Sequence, residues 1–273
     1  MPDSTIPEWL AVIILGIIEG VTEFLPISST GHLLIPQTLH WLPEQGDVFN
    51  VVVQSGAVVA VLVVFWERIK LFARTLNQPA TRDYLLKLFV AFALTAVGGV
   101  VLNKLDIKLP ETVGPVAWAT LIGGLVIFAL EFAQKRRPGL ADITWTVAIA
   151  VAAAQLLAAV FPGTSRSGAS ILMAMALGVA RPAATEFSFL LGVPTLLAAG
   201  AFKIMLSIVS PKPGAEPPDW TMLALGAVVS AVSAFVVVHW LIRFVQSHTF
   251  NGFAVYRVVL GAGLLIYAWQ AGL

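Results

Sequence analysis

The residues able to do chemistry gather in two short stretches of an otherwise apolar chain. One reads Glu19-Gly-Val-Thr-Glu-Phe-Leu-Pro-Ile-Ser-Ser-Thr-Gly-His32, the other Phe161-Pro-Gly-Thr-Ser-Arg-Ser-Gly-Ala-Ser170. Each is a Pro-led break rich in Ser, Thr and Gly, and together they supply two carboxylates, an imidazole and a guanidinium. Ionisable groups at bilayer depth are costly, so a functional site is the default reading for them. Both breaks suit phosphate, because hydroxyls and new helix N-termini donate hydrogen bonds and arginine adds a fixed charge. The chemistry they point to is the handling of a phosphorylated lipid inside a membrane.

Glu19 and Glu23 are four residues apart and share one helix face. Carboxylate oxygens so placed suit a hard divalent cation, Mg²⁺ or Ca²⁺, completed by water and phosphate oxygens. The competing reading has one carboxylate capping a helix and the other paired with Arg166; a proton shared between the two is a third. Beyond Pro26, the hydroxyls of Ser28, Ser29 and Thr30 signal the start of a helix and double as phosphate donors. His32 follows Ser29 by three, so a helical turn is expected to make them neighbours, a nucleophile and its base, with attack by His32 itself or by water that it activates as the alternatives. In the second break Arg166 offers a planar fork to phosphoryl oxygens, with Ser165, Ser167 and Ser170 around it. The Gly-Lys-Ser/Thr ending of a nucleotide-binding loop is absent. Gln54, Ser55, Gln155 and Glu186 read as helix-joining groups or site lining. His40, His239 and His248 read as interfacial or structural, and Arg257 as a snorkelling residue near a helix end.

These groups need elements to hold them, and composition says which. Of 273 residues 58% are hydrophobic and only 11% charged, against about 25% in soluble domains. The runs are continuous rather than alternating, which predicts an all-α polytopic membrane protein and not a barrel. Net charge is +1, giving no case for nucleic acid, and the absence of cysteine excludes disulfides and thiolate chemistry. The N-terminus is acidic, unlike a cleaved signal peptide. Six full spans are predicted near 48–66, 85–102, 114–133, 185–206, 221–243 and 253–271. Two further segments, about 9–42 and 143–181, are interrupted by the breaks, and each half is too short to span. They are expected as re-entrant helical hairpins.

The order is hairpin and three spans, twice over. Glu19 precedes Pro26 by seven and Gln155 precedes Pro162 by seven; Ser29 and Ser165 each follow their proline by three. The sequence therefore predicts one membrane domain over 1–273 built from an inverted repeat, with repeat one at 1–134 and repeat two at 143–273. Charge agrees: Arg68, Lys70, Arg74, Arg82, Lys87, Lys135, Arg136, Arg137, Arg181 and Arg243 fall on one side, cytoplasmic by the positive-inside rule. Both termini and the Pro-rich stretch 210–219 then face outward. Trp66, Trp220 and Trp269 read as interfacial anchors.

In these motifs the chain resembles the bacterial undecaprenyl pyrophosphate phosphatases, the BacA family. The likeness rests on both breaks and on Phe49-Asn-Val-Val-Val-Gln-Ser-Gly56, Glu186-Phe-Ser-Phe189 and Ala254-Val-Tyr-Arg257, with Ser170 standing where the family often has Thr. It implies an inner-membrane phosphatase with an outward-facing site. Such an enzyme depends on a divalent cation, takes a polyprenyl pyrophosphate as substrate, and confers bacitracin resistance when overproduced. By this resemblance Ser29, His32, Arg166 and Glu23 are catalytic, Ser28, Thr30, Ser165, Ser167 and Ser170 join Arg166 on phosphate, and Glu19 and Glu23 hold the cation. A homodimer is compatible with it, and Gly192 to Gly200 offers a small-residue packing stripe. The type-2 phosphatidic acid phosphatases are excluded, because no histidine follows Ser165-Arg166 at their spacing. The different-class alternative is a transporter or flippase of a polyprenyl phosphate lipid.

Overall fold

The structure, a computed structural model, describes residues 6–39, 41–43, 45–107, 109, 112–134, 139–209 and 218–271. His40, Lys135 to Arg137 and most of the Pro-rich stretch lie outside the described residues. Among the described residues eleven helices follow one another: α1 Glu8–Thr22, α2 Ser29–Thr38, α3 Asp47–Val64, α4 Trp66–Arg74, α5 Pro79–Lys104, α6 Val113–Gln134, α7 Trp145–Val160, α8 Arg166–Ala176, α9 Arg181–Val209, α10 Trp220–Ser247 and α11 Asn251–Ala271. Among the described residues the only strand-like feature is an isolated parallel bridge, Leu140 to Val179.

Their boundaries follow local chemistry. Pro79 starts α5 at a position whose N–H would be unpaired in any case. The Thr144 hydroxyl caps α7 through Val147 N–H, and Asp219 caps α10 through the N–H groups of Thr221 and Met222. Helices α5, α6, α9, α10 and α11 are long and apolar enough to cross a membrane, and α3 with α4, bent by 62° at Phe65, makes a sixth if taken as one span. The chain is thus a multi-pass, all-helical membrane protein. By contrast α7 has 16 residues, about 24 Å at 1.5 Å per residue, and α8 has 11; neither alone crosses a roughly 30 Å hydrocarbon core.

Bilayer lipid is as apolar as leucine, so close approach of backbones must supply the packing. Seams of small residues allow it. A Cβ on Gly20 would meet the Ser230 carbonyl at 2.4 Å, where α1 crosses α10, and one on Gly56 would meet Ala227 O at 2.4 Å, where α3 crosses α10. Gly261 of α11 lies against α6 in the same way. The Gly192 to Gly200 stripe splits: Gly200 abuts Ser55 of α3, while Gly192 faces open space. Ser55 joins helices as read, its hydroxyl donating to Val51 O at 2.8 Å and Leu196 O at 3.2 Å.

The arginine-rich helix ends meet one another. Arg181 pairs with buried Glu131 of α6, which also accepts from Phe250 N–H at 2.8 Å. Arg68 donates to Glu186 of α9 at 2.9 Å, giving Glu186 its helix-joining role. Both breaks lie deeper. Phe24 of the first packs edge-on against Phe189 of α9, with centroids 5.1 Å apart, so this break is anchored in the main core.

Candidate functional site

The two breaks are built alike at their helix starts. Ser28 caps α2, its hydroxyl accepting from Gly31 N–H at 3.2 Å; Ser165 caps α8, accepting from Gly168 N–H at 3.1 Å. Both serines hold positive φ, 75° and 69°, a conformation that costs a non-glycine residue of order 1–3 kcal/mol. Ser28 is therefore the counterpart of Ser165, and Ser29 that of Arg166. The proline-based register, which pairs Ser29 with Ser165, is off by one. The second break carries one more residue, and Gly163 at φ 92° absorbs it where a Cβ would sit 2.6 Å from Val116 O.

The capped starts interlock. Ser167 Oγ is within donating distance of Glu23 O and Leu25 O, both at 3.1 Å, and Ser165 Oγ lies 3.3 Å from Leu25 O. Glu23, buried in the turn after α1, is the centre. Its Oε2 accepts from Ser29 Oγ at 2.6 Å and its Oε1 from Arg166 Nη2 at 2.5 Å. One carboxylate thus orients a hydroxyl from one break and a guanidinium from the other.

A cavity of about 500 Å³ opens above this triad. Glu23, Ser28, Ser29, Thr30, Ser165 and Arg166 line it, so six of the residues singled out by sequence come together. Gln54 and Gln155 line it too, beside apolar side chains of α2, α5 and α7. From the breaks the cavity runs to Asn103 and Asp106 at the end of α5, away from the arginine-rich ends.

Four expected members sit elsewhere. Ser167 is occupied by the first break's carbonyls, and Ser170 is buried with an unpartnered hydroxyl. His32 requires a correction, because it does not pair with Ser29. Its Nδ1 lies 2.7 Å from Ser28 O, which can only accept, so Nδ1 carries the proton and Nε2 accepts from Tyr256 OH at 2.6 Å. Three residues along a helix are still roughly 60° apart in direction, and here that angle turns Ser29 toward α1 and His32 toward α11. His239 and His248 stack on Phe235 and Phe244, outside the cavity.

Glu19 lies one turn before Glu23 with no exposure, and neither carboxylate oxygen has a protein partner. Among the described residues no three His, Cys, Asp or Glu side chains cluster as a metal cage. Two carboxylates do fit a cation that keeps waters and takes phosphate oxygens, and the orphaned oxygens of Glu19 mark where positive charge or a proton is needed.

Arg257 is the residue that sequence reasoning misplaced. It does not snorkel: it is fully buried and its guanidinium donates to carbonyls of both breaks and of α6. Counting from the start of α11 put it near a helix end, but the breaks descend to meet it. An arginine inside an apolar run was the signal available.

An all-helical, multi-pass membrane protein with a polar, phosphate-suited cleft between two broken helices is the class that fold and site define. Residues 12–263 match the family model described as bacitracin resistance protein BacA, and the chain belongs to that family. Relatives include proteins named undecaprenyl-diphosphatase. One from Rhizobium johnstonii is 48% identical over 259 residues, covering 94% of this chain and 96% of that protein. One from Xanthomonas euvesicatoria is 46% identical over 261 residues, covering 95% and 97%.

Proposed function

We propose that this protein is a membrane phosphatase that hydrolyses undecaprenyl diphosphate to undecaprenyl phosphate and inorganic phosphate, renewing a lipid carrier for cell-wall synthesis. The observation that carries this reading is the Glu23 carboxylate holding the Ser29 hydroxyl and the Arg166 guanidinium at one cavity wall, in a chain of this family.

Ser29 Oγ attacks the terminal phosphorus while its proton passes to Glu23 Oε2. The phosphorus–oxygen bond to the lipid monophosphate breaks, and that oxygen leaves with the electron pair. Water then attacks the phosphoserine; Ser29 departs, recovering the proton from Glu23, and phosphate leaves with the protons of water. Arg166, Thr30 and the N–H groups opening α2 and α8 bind the equatorial oxygens, the main source of stabilisation in such transfers. Glu19 and Glu23 would hold Mg²⁺ or Ca²⁺, which when bound would neutralise charge on the diphosphate. His32 acts here as a positioning group that holds Ser28 O. Chelation is expected to abolish turnover and either cation to restore it.

The same reading places the protein in the bacterial inner membrane with the cavity and both termini outside. What supports it is the cavity's course away from the arginine-rich ends. It also takes the chain as one domain of two inverted repeats, 1–134 and 143–273, with re-entrant hairpins at α1–α2 and α7–α8. Helix pairing supports this. Exchanging α1, α3, α5 and α6 with α7, α9, α10 and α11 turns the α1–α10 and α3–α10 contacts into α7–α5 and α9–α5, and maps α3–α9 and α6–α11 onto themselves. All six pairs are in contact.

Such repeats are also a transporter plan. Phosphate release from undecaprenyl diphosphate by the purified protein, with lipid movement followed in liposomes, separates the readings. Release is expected; movement without release would put the flippase first.

A further inference from the structure

Arg257 spends all five of its N–H donors on backbone carbonyls. Nε donates to Thr120 O and Nη2 to Ala119 O, both in α6, at 3.1 and 3.0 Å. Nη1 donates to Pro26 O in the first break and to Thr164 O in the second, and Nη2 to Gly163 O, each at 3.1 Å. No carboxylate is among its partners, although a buried cation normally demands one. Space has been kept for it: a Cβ on Gly123 would stand 2.1 Å from Nη2. The adjacent Tyr256 reaches His32, which holds the Ser28 carbonyl, so α11 grips the start of α2 a second time.

The orientation of these carbonyls has a consequence for the cavity. In a trans peptide C=O and N–H point in opposite directions. With Thr164 O turned onto Arg257, the N–H of Ser165, a residue lining the cavity, is turned away from Arg257. Holding Pro26 O and Thr164 O on one nitrogen also fixes the spacing between the start of α2, where Ser29 sits, and the start of α8, where Arg166 sits.

We infer that Arg257 is a positioning residue for phosphoryl transfer, docking both breaks on α6 so that Ser29 and Arg166 meet across Glu23. The inference rests on the phosphatase reading, but its geometric half can be tested without it. Arg257→Lys keeps the charge and loses the planar fork that spans five acceptors. Gly123→Ala keeps the arginine and places a methyl group where the guanidinium lies.

The experiment measures kcat and KM for phosphate release by the purified, cation-loaded variants, with amide hydrogen exchange on the same samples. Both variants are expected to lose about 100-fold in kcat, the size of effect an ångström of misplacement produces. KM is expected to stay within about threefold, as for an interaction made only in the transition state. Exchange is expected to quicken over 24–31 and 161–169 and to stay unchanged in α9 and α10. Wild-type kcat in either folded variant overturns the inference. So does a loss of activity that merely tracks a loss of folded protein, with exchange raised through every helix. Should the wild type release no phosphate, the phosphatase reading fails instead. Exchange then decides alone: faster exchange confined to the breaks upholds the docking role, and unchanged exchange ends it.

Discussion

Removing the Ser29 hydroxyl takes away both the proposed nucleophile and one of the two donors on Glu23. Ser29→Ala is expected to lower kcat by at least about 100-fold, read by phosphate release, with lipid binding retained. Glu23→Gln leaves Arg166 facing a neutral amide and removes the proposed proton acceptor. A loss of about 10²–10⁴ is expected, and quickened exchange in 161–169 should accompany it. Ser165→Ala keeps the strained φ of 69° but deletes the cap on Gly168; a fall in stability of about 0.5–2 kcal/mol is expected in thermal unfolding. Most of these residues were legible in sequence, because hydroxyls, carboxylates and one arginine in apolar runs announce themselves. The partners were not. Spacing joined Ser29 to His32, whereas the fold joins it to Glu23, six residues back across a turn whose shape depends on the positive φ of Ser28. Tyr256 and Arg257 lie more than 220 residues away from the first break, which both of them hold.

At the scale of elements, the helix seams set how closely α1 and α3 approach α10. Gly56→Val would drive a branched side chain into the Ala227 backbone of α10, and Gly20→Val into that of Ser230. Each is expected to destabilise the protein by about 1–3 kcal/mol through overpacking. Gly192→Ala, whose added Cβ meets nothing within 4 Å although the residue is buried in α9, is expected to leave unfolding nearly unchanged, and a thermal shift series in one detergent compares the three. The spans themselves were legible, since continuous apolar runs over 20 residues leave no other reading. The bend at Phe65 was not. The sequence there continues from an apolar run into Trp66-Glu-Arg without a proline or glycine to mark the 62° turn. Which glycines meet backbone and which have free space beside them was equally hidden, because that depends on the partner helix.

For the whole molecule, the proposed orientation and the proposed inverted halves rest on charge asymmetry and helix pairing. The chain has no cysteine, so single cysteines report sidedness cleanly. A cysteine at Asp219 is expected to react with an impermeant reagent on intact cells, and one at Arg82 only after lysis; the opposite pattern would reverse the topology. The central claim is that both halves contribute to one site, Ser29 from the first and Arg166 from the second. The most direct measurement is a double-mutant cycle on kcat for phosphate release, using Ser29→Ala, Arg166→Ala and the pair. Groups acting as a unit are grossly non-additive. The double variant is therefore expected to be no slower, within about threefold, than the slower single variant. Two losses that multiply, or turnover at the wild-type rate in either folded single variant, would contradict a shared site.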